Sequence, residues 1–154
     1  MLRASLLIAI ASSLLLAPSA GAVIQLDRGI AGARIGNTKA EVRTALGQPR
    51  RVIRRDTDFG PTTTFRYRGG LSVGFLGGGV TLVRTTGLGD RTNRGVGVGS
   101  TEQRVRDRVP GVACETFEST RICSRGAEQP GERGTFFFIE DGRVTRVDVA
   151  LVID

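Results

Sequence analysis

Histidine is absent from this chain, and so is tryptophan. Without histidine no Ser-His-Asp or Cys-His relay can be assembled, and the commonest nitrogen ligand of zinc is missing. Cysteine occurs only twice, at Cys114 and Cys123, too few for a closed thiolate zinc site and without the Cys-x-x-Cys spacing of a redox pair. Most hydrolase chemistry and a structural zinc are thereby excluded, and no enzyme, metal or cofactor is expected. Two weaker patterns do not alter that expectation. Gly95-Val96-Gly97-Val98-Gly99-Ser100-Thr101 resembles a phosphate-binding turn but lacks the P-loop lysine and the dinucleotide spacing, and it reads instead as a flexible lead into the second helix. Glu140 and Asp141 are adjacent, so they face apart on a strand or lie in a turn rather than flanking a bond as glycosidase carboxylates do.

Long apolar runs are also scarce. The one that occurs, Leu6 to Leu16 broken by Ser12 and Ser13, follows Arg3 and precedes Pro18 and Ala20-Gly21-Ala22. It is shorter than the ~20 residues that span a bilayer and has the three-part organisation of a secretory leader. Residues 1–22 are therefore expected to be removed on export, with no membrane span in the mature chain. No cysteine follows the cleavage position, so a bacterial lipid anchor is not indicated. The expected location is secreted or on the cell-envelope exterior, extracellular or periplasmic.

Positive charge is what the chain has in excess. The 22 basic and 15 acidic residues leave a formal charge of +7, and Lys39 is the only lysine. An arginine surface of this size favours acidic partners or anionic envelope polymers. No nucleic-acid recognition motif accompanies it, and export argues against such a partner.

A self-similarity organises the mature sequence. Asp27, Arg28, Gly32, Gly36, Thr38, Val42 and Arg43 recur 63 positions later as Asp90, Arg91, Gly95, Gly99, Thr101, Val105 and Arg106. Thr38-x-x-Glu41 has capping-box spacing, and Ser100-x-x-Gln103 is its nearest counterpart, one position earlier. Val42, Ala45 and Leu46, then Val105 and Val109, form narrow helical stripes. Gly47 before Pro49, and Pro110 before Gly111, end both helices after about two turns.

Each helix is followed by strand-like runs. Arg51–Arg55, Thr62–Arg68, Leu71–Phe75 and Val80–Arg84 succeed the first; Val112–Phe117, Thr120–Ser124, Thr135–Glu140 and Arg143–Val152 succeed the second. Asp141-Gly142 is a strong hairpin signal. The expected class is α+β: two tandem repeats, residues 23–88 and 89–154, each a short helix followed by a four-stranded antiparallel meander, with the helices on one sheet face. A unit of about 60 residues buries too little surface to be stable alone, so the two should share a core. Cys114 and Cys123 would bridge neighbouring strands if the intervening turn is centred on Glu118-Ser119, since they then form a non-hydrogen-bonded pair.

The pattern Gly36, Thr38, Val42, Leu46, Gly47 and Pro49, followed by a meander, resembles the SmpA/OmlA (BamE) superfamily. Duplication of such a unit with a nearby cysteine pair is similar to the beta-lactamase inhibitor proteins. The second copy departs at Val109-Pro110, where Leu-Gly is the pattern. The resemblance implies helices packed on an antiparallel sheet, and binding rather than catalysis. The expected function is a secreted, non-enzymatic, protein-binding module of inhibitor-like type, monomeric; the alternative is a cell-envelope structural or anionic-polymer-binding protein.

Alternation locates the working surface. If Phe65, Tyr67, Leu71, Val73 and Phe75 face the helices, Arg66 and Arg68 face outward; Val147 and Val149 inward send Arg146 outward. Phe136 and Phe138 then join Arg66, Arg68 and Arg146 as candidate partner-binding residues, because arginine and aromatic side chains concentrate interface energy. The competing possibility is that the two phenylalanines complete a thick core beneath the Arg125–Gly134 loop.

Overall fold

The computed structural model describes residues 21–127 and 129–153; the leader expected over residues 1–22 lies outside them except for Gly21 and Ala22. In chain order the elements are β1 (Val23–Gln25), β2 (Gly29–Ile30), β3 (Ala33–Arg34), α1 (Lys39–Leu46), β4 (Arg51–Thr57), β5 (Gly60–Arg66), a 3₁₀ turn (Arg68–Gly70), β6 (Ser72–Leu76), β7 (Gly79–Thr85), β8 (Arg91–Thr92), α2 (Glu102–Arg108), β9 (Ala113–Phe117), β10 (Thr120–Gly126), β11 (Arg133–Glu140) and β12 (Arg143–Leu151). Eight strands form one sheet in the order β4-β5-β6-β7-β12-β11-β10-β9, and four short ones form a second in the order β3-β2-β1-β8.

This corrects the expected class. Among the described residues strands make up 50% and helix only 14%, so the protein is mostly β and not an α+β pair of helix-plus-meander repeats. The physical reason is size. Helices of eight and seven residues cannot form a layer of their own, and neither set of four strands can close a core alone. The central strands β7 and β12 therefore pair antiparallel, Val83 opposite Val149 and Thr85 opposite Val147, merging both sets into one sheet. The second sheet was not foreseen at all. It pairs β1 with β8 in parallel, Val23 opposite Arg91, using segments to which the sequence assigns no strand.

Local chemistry sets the helix starts. Thr38 Oγ accepts from the Glu41 amide at 3.3 Å while the Glu41 carboxylate accepts from the Thr38 amide at 2.7 Å, the reciprocal box expected from the sequence. The second helix is capped by Thr101, whose hydroxyl accepts from the Arg104 amide at 3.2 Å; Ser100 instead accepts from the Gly97 amide. The expected one-residue offset is thus corrected, and both caps are threonines at equivalent positions.

Both helices and the small sheet lie on the same face of the large sheet. The Arg43 guanidinium sits 4.6 Å from the Phe65 ring centre and Lys39 Nζ 5.9 Å from that of Phe75, which fixes the side that α1 covers. Glu102 of α2 pairs with Arg121, on the side of the sheet that carries Cys123 and Phe137. Asp27, between β1 and β2, accepts from Thr135 Oγ at 2.8 Å and Arg125 Nε at 2.9 Å, and Asp90, before β8, accepts from Thr85 Oγ and from the Ala22 amide. A single core results: Ile24, Ile30, Val42, Phe65, Phe75, Val83, Val96, Val105, Phe137 and Val147 are all buried in one cluster. Ala45, expected in the first stripe, is exposed and Leu46 half-buried, because eight residues present little more than Val42 to the sheet.

Candidate functional site

The opposite face of the large sheet is covered by no element among the described residues. Cross-strand register sets what lies on it. Directly opposed residues of neighbouring strands share a face, and one rank can be followed across seven strands: Arg51, Arg66, Ser72, Arg84, Asp148, Phe136 and Ser124. A second rank holds Ile53, Thr64, Gly74 and Leu82, and a third places Arg146 opposite Phe138 and Phe138 opposite Ile122. Arginine, hydroxyl and apolar side chains are therefore interleaved.

Over β4–β7 the twisted sheet forms a concavity of about 540 Å³ whose lining includes Arg55, Thr62, Thr64, Arg66, Gly74 and Arg84. Arg84 is committed. Its Nε and Nη2 donate to the two Asp148 oxygens at 2.8 and 2.7 Å, a bidentate pair that raises the guanidinium above its ordinary value. Asp148 itself is buried, and its nearness to Arg146, at 3.4 Å, leaves one carboxylate between two guanidiniums.

Arg146 lies flat against Phe138, its guanidinium carbon 3.4 Å from the ring centre. Burial lowers its pKa, partly offset by Asp148 and reinforced by Arg84, and its Nε is buried with no hydrogen-bond partner. Arg146 and Phe138 line a separate hollow with Thr120 and Thr145. Arg55 and Arg66 are different again. Both are exposed, and among the described residues neither guanidinium has an ion pair or hydrogen bond.

Of the five residues chosen from sequence, the structure brings Arg66, Arg146, Phe136 and Phe138 onto this one face. Arg68 does not join them. Strand β5 ends at Arg66, and Gly69 and Gly70 at φ of 70° and 83° fold the chain into the turn that holds Arg68. Phe136 and Phe138 are half-buried, so they neither project freely nor belong to the main core. Arg55, Thr62, Thr64 and Arg84 were missed; alternation from the buried Val83 would have turned Arg84 outward, and alternation from Ile53 would have found Arg55.

The cysteines lie on the covered side. Cys114 and Cys123 are opposed, joined, with Cα atoms 3.9 Å apart, across a two-residue turn at Glu118-Ser119, the register expected from the sequence. The Glu102 carboxylate lies beside them, all three ligand atoms within 4.8 Å, but sulfurs bonded to each other offer no thiolate to a cation. Among the described residues no helix is long and apolar enough to cross a membrane.

No family model matches the chain, and no curated protein does. Solved structures of similar fold include the following two. An extracellular protein containing a SCP domain from Bacillus anthracis str. Ames is similar over 94% of this chain at 9% identity, TM-score 0.56, and this chain spans only 50% of that protein's length. The uncharacterized protein yfeY from Escherichia coli is similar over 84% of this chain and 99% of its own, at 14% identity, TM-score 0.54. At these identities the likeness is one of fold alone.

Proposed function

We propose that this chain is an exported, non-enzymatic binding protein whose uncovered sheet face takes an acidic protein partner. The observation that carries the reading is the rank of Arg51, Arg66, Ser72, Arg84, Asp148 and Phe136 across a face that no element among the described residues covers. Export is supported by the leader pattern, by the disulfide, which persists in oxidising compartments, and by the extracellular origin of one structure of similar fold. Binding without catalysis is supported by the lack of histidine and by a surface made of guanidinium, hydroxyl and half-buried aromatic groups. Of these, arginine and aromatic side chains are the ones that concentrate interface energy.

An anionic envelope polymer is the alternative occupant, favoured by the overall charge of +7. The interleaved Ile53, Leu82 and Phe138 favour a protein, since a polyanion gains nothing from apolar floor. Capture from the native exterior with the oxidised mature protein as bait separates the two. The reading expects a captured protein that is lost with Phe138→Ala and Arg66→Ala and kept with Arg68→Ala, all three variants melting normally. Retention on cell-wall material alone, abolished by salt, assigns the polymer instead.

A further inference from the structure

The concavity over β4–β7 has a feature that the rest of the face lacks: positive charge left unneutralised at two separated places. At one end Arg66 lies opposite Arg51, and at the other Arg55 lies opposite Thr62. Thr62 and Arg66 are four residues apart on β5, so the two poles stand roughly 13 Å from one another along the strand. All three arginines are exposed, and among the described residues none is paired. Asp148, the acidic group in the cross-strand rank that contains Arg51 and Arg66, is held by Arg84.

Between the poles the surface is neutral and low. Thr64 lies opposite Gly74, where the missing side chain opens the floor, and an added Cβ would already touch Leu82 at 3.4 Å. The Thr62 hydroxyl donates to the Arg55 carbonyl at 3.1 Å and keeps lone pairs free, while the hydroxyls of Thr64 and Ser72 are unengaged among the described residues. A volume of about 540 Å³ lies within the usual range of ligand sites.

An extended peptide has matching dimensions. Its side chains at i, i+2 and i+4 point to one side, and its rise of about 3.3 Å per residue sets i and i+4 about 13 Å apart. We propose that this concavity binds an extended acidic segment whose carboxylates at i and i+4 meet Arg55 and Arg66, with a small or hydroxyl-bearing residue at i+2 above Thr64 and Gly74. It rests on the binding-protein reading above and names the chemistry of the partner at that site. Because the segment lies on the sheet face and not along its edge, recognition comes from side chains, and charge spacing is what it reads.

Fluorescence anisotropy with labelled nine-residue Gly/Ser/Thr peptides tests this. One probe carries glutamates at i and i+4, a second has the same composition with them adjacent, and inorganic polyphosphate serves as competitor. The spaced peptide is expected to bind more tightly than the adjacent one. Arg55→Ala and Arg66→Ala should each weaken it roughly two- to fivefold, as exposed ion pairs do, and the pair together about tenfold. Arg68→Ala, equal in charge but off the face, should change it less than about twofold.

Equal affinity for the two peptides, or an equal loss from Arg68→Ala, overturns the proposal by showing a generic charge effect. Polyphosphate that outcompetes the peptide through the same two arginines overturns the peptide assignment in favour of a polyanion. All variants are at exposed positions, and unchanged melting temperatures confirm that they fold. Failure of peptide binding while partner capture still depends on Phe138 removes this site alone; spacing-dependent peptide binding by a face that captures no protein removes the wider reading alone.

Discussion

The β4–β7 and β9–β12 halves of the large sheet seat their helices by the same device and fill the space beneath them differently. In the first, the Gly36 amide donates to Val80 O at 2.8 Å and the Val80 amide to Asn37 O at 2.9 Å; in the second, Gly99 donates to Val144 O at 2.7 Å and Val144 to Ser100 O at 2.8 Å. A threonine cap follows at once in both. Beneath α1 stands an edge-to-face pair, Phe65 and Phe75, with ring centres 4.7 Å apart. Beneath α2 the corresponding material is a disulfide and the ion pair of Glu102 with Arg121. Phe137 is buried in the second half as well, so both halves rest on apolar area, to which the first adds an aromatic pair and the second covalent and electrostatic ties; a backbone joint can be kept while the chemistry under it varies.

Breaking the aromatic side should have the largest effect. Phe75→Ala removes a buried ring and its partner contact, and a loss of about 3–5 kcal/mol is expected. Because both halves share one core, denaturant melts followed by circular dichroism and by near-ultraviolet absorbance should coincide; two separated transitions would show that the halves unfold independently.

The covalent side comes next. Reduction of Cys114–Cys123, or the double change to serine, should cost roughly 2–3 kcal/mol and shift the single transition as a whole. Mass analysis of the native protein checks the premise, since free thiols at both positions would remove this contrast between the halves.

Smaller again is the difference between the caps. Thr38→Ala loses the hydroxyl's two bonds, accepted from the Glu41 amide and donated to the Glu41 carboxylate, while the backbone amide of residue 38 still donates to that carboxylate; Thr101→Ala loses only the bond to Arg104. Both changes should cost on the order of 1 kcal/mol, the first more than the second. Equal losses in chemical melts would mean that the bond from Thr38 Oγ to the Glu41 carboxylate contributes nothing.

Legibility in the sequence followed sequence distance. The Thr38 cap, the Asp141-Gly142 turn with φ of 49° and 73° and the Cys114–Cys123 register were readable because each depends on neighbours within ten residues. The small sheet was not, since strands of two or three residues have no period and Val23 meets Arg91 only after the chain has folded. Much the same holds for the site. Alternation within a strand put Arg66, Arg146, Phe136 and Phe138 on one face, but the merging of β7 with β12, which places Arg84 against Asp148, is a long-range event. Arg68 was misplaced because two glycines could end the strand two residues earlier than its alternation implied.

The finest test of the comparison is acid. Glu102 accepts from Arg121 Nη2 at 2.6 Å and from Arg106 Nη2 at 2.6 Å, and these bonds, that to Arg121 foremost, hold its carboxyl at about 2 instead of 4.5. A carboxyl lowered by folding stabilises the folded state fully above its unfolded value and loses that contribution as pH falls through the folded one. The window is therefore pH 4.5 down to 2. Glu41, the acid of the first helix, is also lowered, chiefly by the Thr38 amide, but among the described residues its carboxylate makes no bond to a strand of the large sheet. Other carboxylates are protonated over the same range, so the informative quantity is the difference in melting temperature between wild type and Glu102→Gln. That difference should be largest near neutral pH and shrink toward zero as pH 2 is approached, while the corresponding difference for Glu41→Gln stays small throughout. A Glu102→Gln difference that does not change between pH 6 and 2 would show that the carboxylate's charge does not tie α2 to its half of the sheet.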